Sequence, residues 1–222
     1  MYLTIIYFPL ASSILTGLFG KNFGQNGSIQ ISLSSIFLSF ITSLIIFYEV
    51  VLLNCNVYLY LFSWVKSEAL DIRWSFIFDN LSVIMSNIIL YISLAVMLFL
   101  CEYMKHDPHF IRFMSYLSLF SFLMIILVVS DNFFQMFVGW EKVGLVSYLL
   151  INFWFTRIQS NKAAIKAMIF NRIGDFSLII ALLIIFINFK TLDYQIISAL
   201  IPFFIHNKIV GLDFFLLNII AN

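Results

Sequence analysis

The sequence predicts an all-α polytopic membrane protein. It would hold six transmembrane helices, a partial seventh and a small surface hairpin between the second and third, in a single membrane domain over residues 1–222. Three observations carry this. Apolar residues make up 63% of the chain and charged residues 10%, with a mean hydropathy of +1.05, far more apolar surface than a water-soluble core needs. These residues fall in runs near the length that crosses about 30 Å of hydrocarbon. A backbone in lipid must also satisfy its own hydrogen bonds, so the runs are helices.

The first run is 1–19. It lacks the basic start and small-residue cleavage pattern of a signal peptide and reads as a retained span. The second is 31–53. Next comes "VYLYLFSWVKSEALDIRWSFIFDN", in which alternating aromatic and branched residues split by "KSE" suggest a hairpin at the membrane surface; a short amphipathic helix is the other reading. Spans three to six follow at 81–101, 113–129, 133–153 and 163–189. After them "TLDYQIISALIPFF" reads as an interfacial helix, with Asp193 before its apolar face and Pro202 near its end. The partial seventh run, 209–220, lies in "IVGLDFFLLNIIAN", which reaches only about 21 Å at 1.5 Å per residue, short of a crossing.

Lys21, Lys105, Arg112, Arg157 and Lys162 lie in loops on one side, and Lys66, Arg73, Lys190 and Lys208 in loops on the other. This small bias places the amino terminus and the hairpin on the outer side.

Several chemistries are excluded. A net charge of +1 without a basic stripe argues against nucleic acid as a partner. Cys55 and Cys101 have neither metal-ligand spacing nor a disulfide framework. His106 and His109 sit in the Pro-containing loop "HDPHF" rather than on facing spans, where haem ligands would be needed. That loop reads as a surface turn with Asp107 accepting backbone hydrogen bonds at a helix start, and His206 as interfacial. There is no Gly-rich phosphate loop, nucleophile triad or cysteine cluster, so the chain itself is expected to hold no cofactor.

The informative residues are ionisable groups inside the spans. "FVGWEKVGLVSYLL" carries Glu141 and Lys142, each costing about 2.5 to 3.5 kcal/mol at the centre of a membrane helix. Glu141 is too far from either end of its span to reach an interface and must face protein or water. In span six, "KAMIFNRIGDF" sets Arg172 and Asp175 three apart on one face. Low dielectric favours a neutral acid and a nearby cation favours an ionised one, so acids and cations on consecutive helices make a site that can take up and release a proton. The bland alternatives are a structural ion pair of Glu141 with Lys142 or Lys166, and an Arg172–Asp175 pair that only fixes packing. Lys162 and Lys166, in the first turns of span six, can also snorkel to the headgroups. Neighbouring residues splay by about 100 degrees around a helix, so Lys142 and Glu141 point in different directions.

"DNFFQMFVGWEKVGLVSYLLINFWFTRIQSNKAAIKAMIFNRIGDFSLIIAL" resembles the chain 5 membrane subunits of the proton-pumping NADH:ubiquinone oxidoreductase, respiratory complex I. It is similar, more distantly, to large subunits of multisubunit sodium/proton antiporters. "SFIFDNLSVIM" and "YMKHDPHFIRFMSYLSLFSFLMIILVVSDN" extend the likeness over most of residues 1 to 200. The resemblance implies the amino-terminal part of an antiporter-like helix bundle, in the mitochondrial inner membrane. Its site residues for proton translocation would be Glu141, Asp175, Arg172, Lys166 and Lys142, with Glu141 as the intramembrane channel acid. NADH, FMN, iron-sulfur clusters and ubiquinone would belong to partner chains. Other complex I membrane-arm subunits and lipids would surround it, and a separate chain would supply the remaining helices of a split subunit, an incomplete chain being the competing explanation. Two departures stand out: Lys142 replaces the family's Gly in "GWEGVGL", and the family's channel lysine and later groups lie past Asn222. A cation at 142 either favours ionised Glu141 or points into a partner. The alternatives are a structural module of the arm with an inactive channel, or part of a sodium/proton antiporter.

Overall fold

The computed structural model describes residues 1–67, 70–105 and 107–206, the last four by backbone alone. Glu68, His106, the side chain of His206, Lys208 and the expected seventh run at 209–220 lie outside the described residues.

The first helix, α1 (Thr4–Phe47), is 44 residues long and holds two of the expected spans. It contains one non-helical residue, Gly24, at φ 71° and ψ −176°. Only glycine takes such a backbone without a Cβ clash, and the chain reverses there. Ser35 Oγ donates to the Phe8 carbonyl oxygen at 2.5 Å, which lays the two arms of α1 side by side. The sequence reading placed a loop over residues 20–30. The structure corrects this: helical hydrogen bonding continues up to Gly24 and resumes after it, because one glycine makes the turn. A five-residue π-helical stretch, Tyr48–Leu52, ends the second arm. There Glu49 accepts a 2.7 Å hydrogen bond from the Tyr2 hydroxyl and ties the arm to the chain start.

Strands β1 (Val57–Lys66) and β2 (Asp71–Phe78) pair antiparallel, with register shifts between Tyr60 and Phe62 and between Ser63 and Val65. Helices α2 (Asn80–Tyr103), α3 (Phe110–Val128), α4 (Phe133–Ile151), α5 (Ile158–Phe189) and α6 (Tyr194–His206) follow. Four helices are long and apolar enough to cross a membrane: α1 with its π-helical end, α2, α3 and α5. α4, 19 residues long and interrupted by Gln135, Glu141 and Lys142, is not among them. At the start of α3 the sequence reading is also corrected. His109 takes the cap position without a side-chain bond, and Asp107 accepts from the Phe110 N–H through its main-chain carbonyl, not its carboxylate.

The core lies between α1, α2 and α3, where Ile5, Ile36, Leu90, Met97, Met114 and Ile125 are fully buried. Buried serines thread through it. Ser32, Ser39 and Ser118 donate to carbonyls of their own helices, so each small polar side chain is satisfied and the helices can approach closely. Ser43 Oγ donates across to Asn87 Oδ1 on α2 at 2.8 Å, and Ser115 Oγ on α3 to the Ser13 carbonyl at 3.1 Å. α3 and α4 meet at Gly139, where an added Cβ would lie 2.9 Å from Leu127 Cα.

β2, the α3–α4 turn and the α5–α6 turn are joined by main-chain and side-chain bonds. Ile77 N–H donates to the Val129 carbonyl, Phe133 N–H to the Leu192 carbonyl and Tyr194 N–H to the Asp131 carbonyl. Ser75 Oγ donates to Asp131 Oδ2 at 2.7 Å, and fully buried Gln135 accepts the Ser75 N–H. Burial first, and then the Asp131 and Asp71 carboxylates, push the Asp193 carboxyl above the ordinary carboxylate range, against the pull of Arg73. A carboxyl raised on folding stabilises the fold fully below its unfolded pKa, and that stability is lost as pH rises through the folded value. The D193N variant is therefore expected to melt higher than the parent at neutral pH and to lose part of the parent's pH dependence between acidic and neutral conditions. Thermal unfolding in detergent across that range measures it, and a parent that melts higher at neutral than at acidic pH because of Asp193 would contradict it.

Candidate functional site

Helices α4 and α5 pack against each other and bring together the charges that the sequence sets 31 residues apart. Arg172 Nη1 lies 2.9 Å from Glu141 Oε1 and 3.9 Å from Asp175 Oδ2. Asp175, one turn beyond Arg172, is 6% exposed and is the only charged side chain among the buried ones described. Its other oxygen, Oδ1, accepts a 3.0 Å hydrogen bond from Trp140 Nε1. The close approach needed for this comes from Gly144, where a Cβ would meet Asn171 Nδ2 at 3.3 Å.

A cavity of about 60 Å³ opens between the two helices, lined by Glu141, Lys142, Gly144, Met168, Asn171, Arg172 and Asp175 among others. That is room for a water or two. Glu141 is partly buried and Arg172 faces outward, and the ion pair and buried Asp175 all line the cavity.

Of the five residues expected to handle protons, three form one cluster: Glu141, Arg172 and Asp175. The partner of Glu141 is Arg172, not the Lys142 or Lys166 of the structural alternatives. Lys142 is exposed and lines the same cavity, although its position next to Glu141 suggested a different outlook. Lys166 stands apart: it is exposed on α5, beside Lys162, Ile165, Ile169 and Phe170. Trp140 and Asn171 were missed, because nothing in a single sequence says which residue of one helix meets which of the next.

Chemically, the cluster has two carboxyls sharing one guanidinium. With both ionised it carries one uncompensated negative charge, which one proton cancels. Lys142 at the cavity wall supplies a further positive charge within reach of the same space.

Two family models match the chain. One, described as "NADH-Ubiquinone oxidoreductase (complex I), chain 5 N-terminus", covers residues 64–114, and the other, "NADH:quinone oxidoreductase/Mrp antiporter, TM", covers residues 130–221. Among curated relatives, the NADH-ubiquinone oxidoreductase chain 5 of Phytophthora infestans is 52% identical over 87% of this chain and 29% of its own length. That of Arabidopsis thaliana is 49% identical over 90% of this chain and 30% of its own length, and that of Chondrus crispus 45% over 96% and 32%. The chain thus spans about 30% of the length of the curated relatives it matches. A chain of the membrane-bound sulfane sulfur reductase, an archaeal respiratory membrane complex, superposes with a TM-score of 0.74 over 85% of this chain and 37% of that chain. At 16% identity this is a likeness of fold. On these matches the chain belongs to the antiporter-like membrane subunit family of NADH:quinone oxidoreductases and Mrp antiporters, and corresponds to the amino-terminal portion of its chain 5 members.

Proposed function

We propose that the chain works in the membrane arm of a proton-pumping NADH:ubiquinone oxidoreductase of the mitochondrial inner membrane, and that Glu141 takes up and releases a proton during turnover. The observation that carries this is the Arg172 guanidinium shared between Glu141 and buried Asp175, beside a water-sized cavity between two helices. An ionisable group kept at such a place in a membrane helix is by default a functional group.

The cycle this arrangement allows is short. With Glu141 ionised, Arg172 sits on it at 2.9 Å. A proton arriving on Glu141 cancels its charge and frees Arg172 to move towards Asp175, 3.9 Å away. Its departure reverses the shift. Nicotinamide, flavin, iron-sulfur and quinone chemistry take place on partner chains, and the helices that the relatives carry beyond this stretch complete the proton path. Lys166 serves as a relay group nearer the start of α5, six residues before Arg172 and outside the cluster.

Lys142 favours a second reading. A fixed cation on the cavity wall would hold Glu141 ionised, and the chain would then be a structural module of the arm with a silent channel. A sodium/proton antiporter subunit, a class in keeping with the "Mrp antiporter" of the family description, would transport ions without redox partners.

Isolation of the native complex in mild detergent, with mass spectrometry of every polypeptide, tests the assignment. Subunits of an NADH:quinone oxidoreductase are expected beside this chain, and their absence would overturn it. The same spectra show whether the remaining helices reside on a separate polypeptide.

A further inference from the structure

We infer that Trp140 is a positioning residue for this site: its indole N–H gives the buried Asp175 carboxylate a donor of its own, leaves Arg172 to Glu141 and so directs the travelling proton to Glu141. The inference rests on the proton-handling reading above.

Arg172 lies a full ångström closer to Glu141 than to Asp175, so the deeply buried acid has the weaker claim on the only guanidinium in the cluster. An ionised carboxylate in that position needs another donor, and the indole supplies one at 3.0 Å. A hydrogen bond to an ionised acceptor is roughly twice as strong as one to a neutral group. Trp140 therefore gives the Asp175 carboxylate a partner that does not draw Arg172 away from Glu141. Indole nitrogen donates only and accepts nothing, so Trp140 cannot carry the proton itself; it biases which acid receives it. The ring is half exposed while its N–H is turned inward, a posture that burial of an apolar side chain does not explain. The charged groups lining the adjoining cavity are Glu141 and Lys142 from α4 and Arg172 and Asp175 from α5, so the choice lies between two carboxyls.

The experiment is infrared difference spectroscopy on the intact complex, comparing reduced and oxidised states in the carboxylic acid C=O region. In the parent protein a band from protonated Glu141 is expected, lost in E141Q and unmoved by 13C labelling of aspartate carboxyls. In W140F a second band is expected, which shifts with the aspartate label and disappears in W140F/D175N. W140H, whose ring also offers an N–H, should restore the parent spectrum. W140M repeats the measurement if W140F fails to assemble. A W140F or W140M spectrum identical to the parent's, with the E141Q-sensitive band in place, overturns the inference while leaving the role of Glu141 standing. If E141Q leaves the parent band intact, the reading of Glu141 fails and this inference falls with it. A residue that only supported packing would lower the yield of complex without producing an aspartate band.

Discussion

E141Q is expected to abolish proton movement through this chain while the complex still assembles and oxidises NADH. The reason lies in what glutamine keeps and what it loses. Its amide oxygen replaces Glu141 Oε1 at 2.9 Å from Arg172, so the cavity wall keeps its shape. The guanidinium stays charged and the pair is more than a third exposed, so solvent screens it and the fold loses about 1 kcal/mol or less. That is small beside the stability of a membrane assembly. The titratable oxygen is gone, however, and with one cation facing one anion the cluster no longer has an uncompensated charge to attract a proton. Protons pumped per electron, measured with the complex in sealed vesicles, should fall, and the band of the assembled complex in native gels should not. An unchanged ratio would favour the structural module, in which Lys142 has already silenced the acid.

The second large effect is structural. Gly139 is buried where α4 crosses α3, and a Cβ there would lie 2.9 Å from Leu127 Cα, 3.0 Å from its Cβ and 3.1 Å from its N. Two of these neighbours are backbone atoms and cannot swing aside. G139A must push the helices apart, at about 1 to 3 kcal/mol for overpacking, and G139V adds two methyl groups and should exceed that range. The consequence reaches the site, because α4 carries Trp140 and Glu141 in the next two positions. G139V is expected to lower both the melting temperature and the amount of assembled complex, and G139A to do so less. A G139V complex that melts with the parent would show that α3 and α4 are not in contact there.

How far the sequence foretold this site depended on distance along the chain. Arg172 and Asp175 were legible as neighbours because they are three residues apart on one helix. The partner of Glu141 was not: the readings nearest in sequence were Lys142 and Lys166, whereas the helix crossing selects Arg172, 31 residues away. Trp140 carried no signal, since its apolar ring fits a membrane helix whether or not its nitrogen has a partner. The gap between the apolar runs 1–19 and 31–53 was read as a loop, yet two helical arms meet at Gly24 alone, and only a backbone with φ 71° distinguishes that glycine from Gly20 and Gly27. Helices were legible from their apolar content, and the joint made by Ser75, Asp131 and Gln135 was not, since it depends on strand β2 meeting the α3–α4 turn and the start of α4.

The length of α5 has a consequence for energetics. Its 32 residues span about 48 Å, more than the hydrocarbon of a bilayer, and Arg172 stands just short of the midpoint. With α5 centred, Glu141 and its partner lie near half depth, so under the proposed function a proton reaching them from either face would cross about half of the transmembrane voltage. At roughly 2.3 kcal/mol per charge per 100 mV for a full crossing, each half-step works against or gains about 1.2 kcal/mol per 100 mV. On that proposal the site would divide one steep electrical climb into two gentler ones.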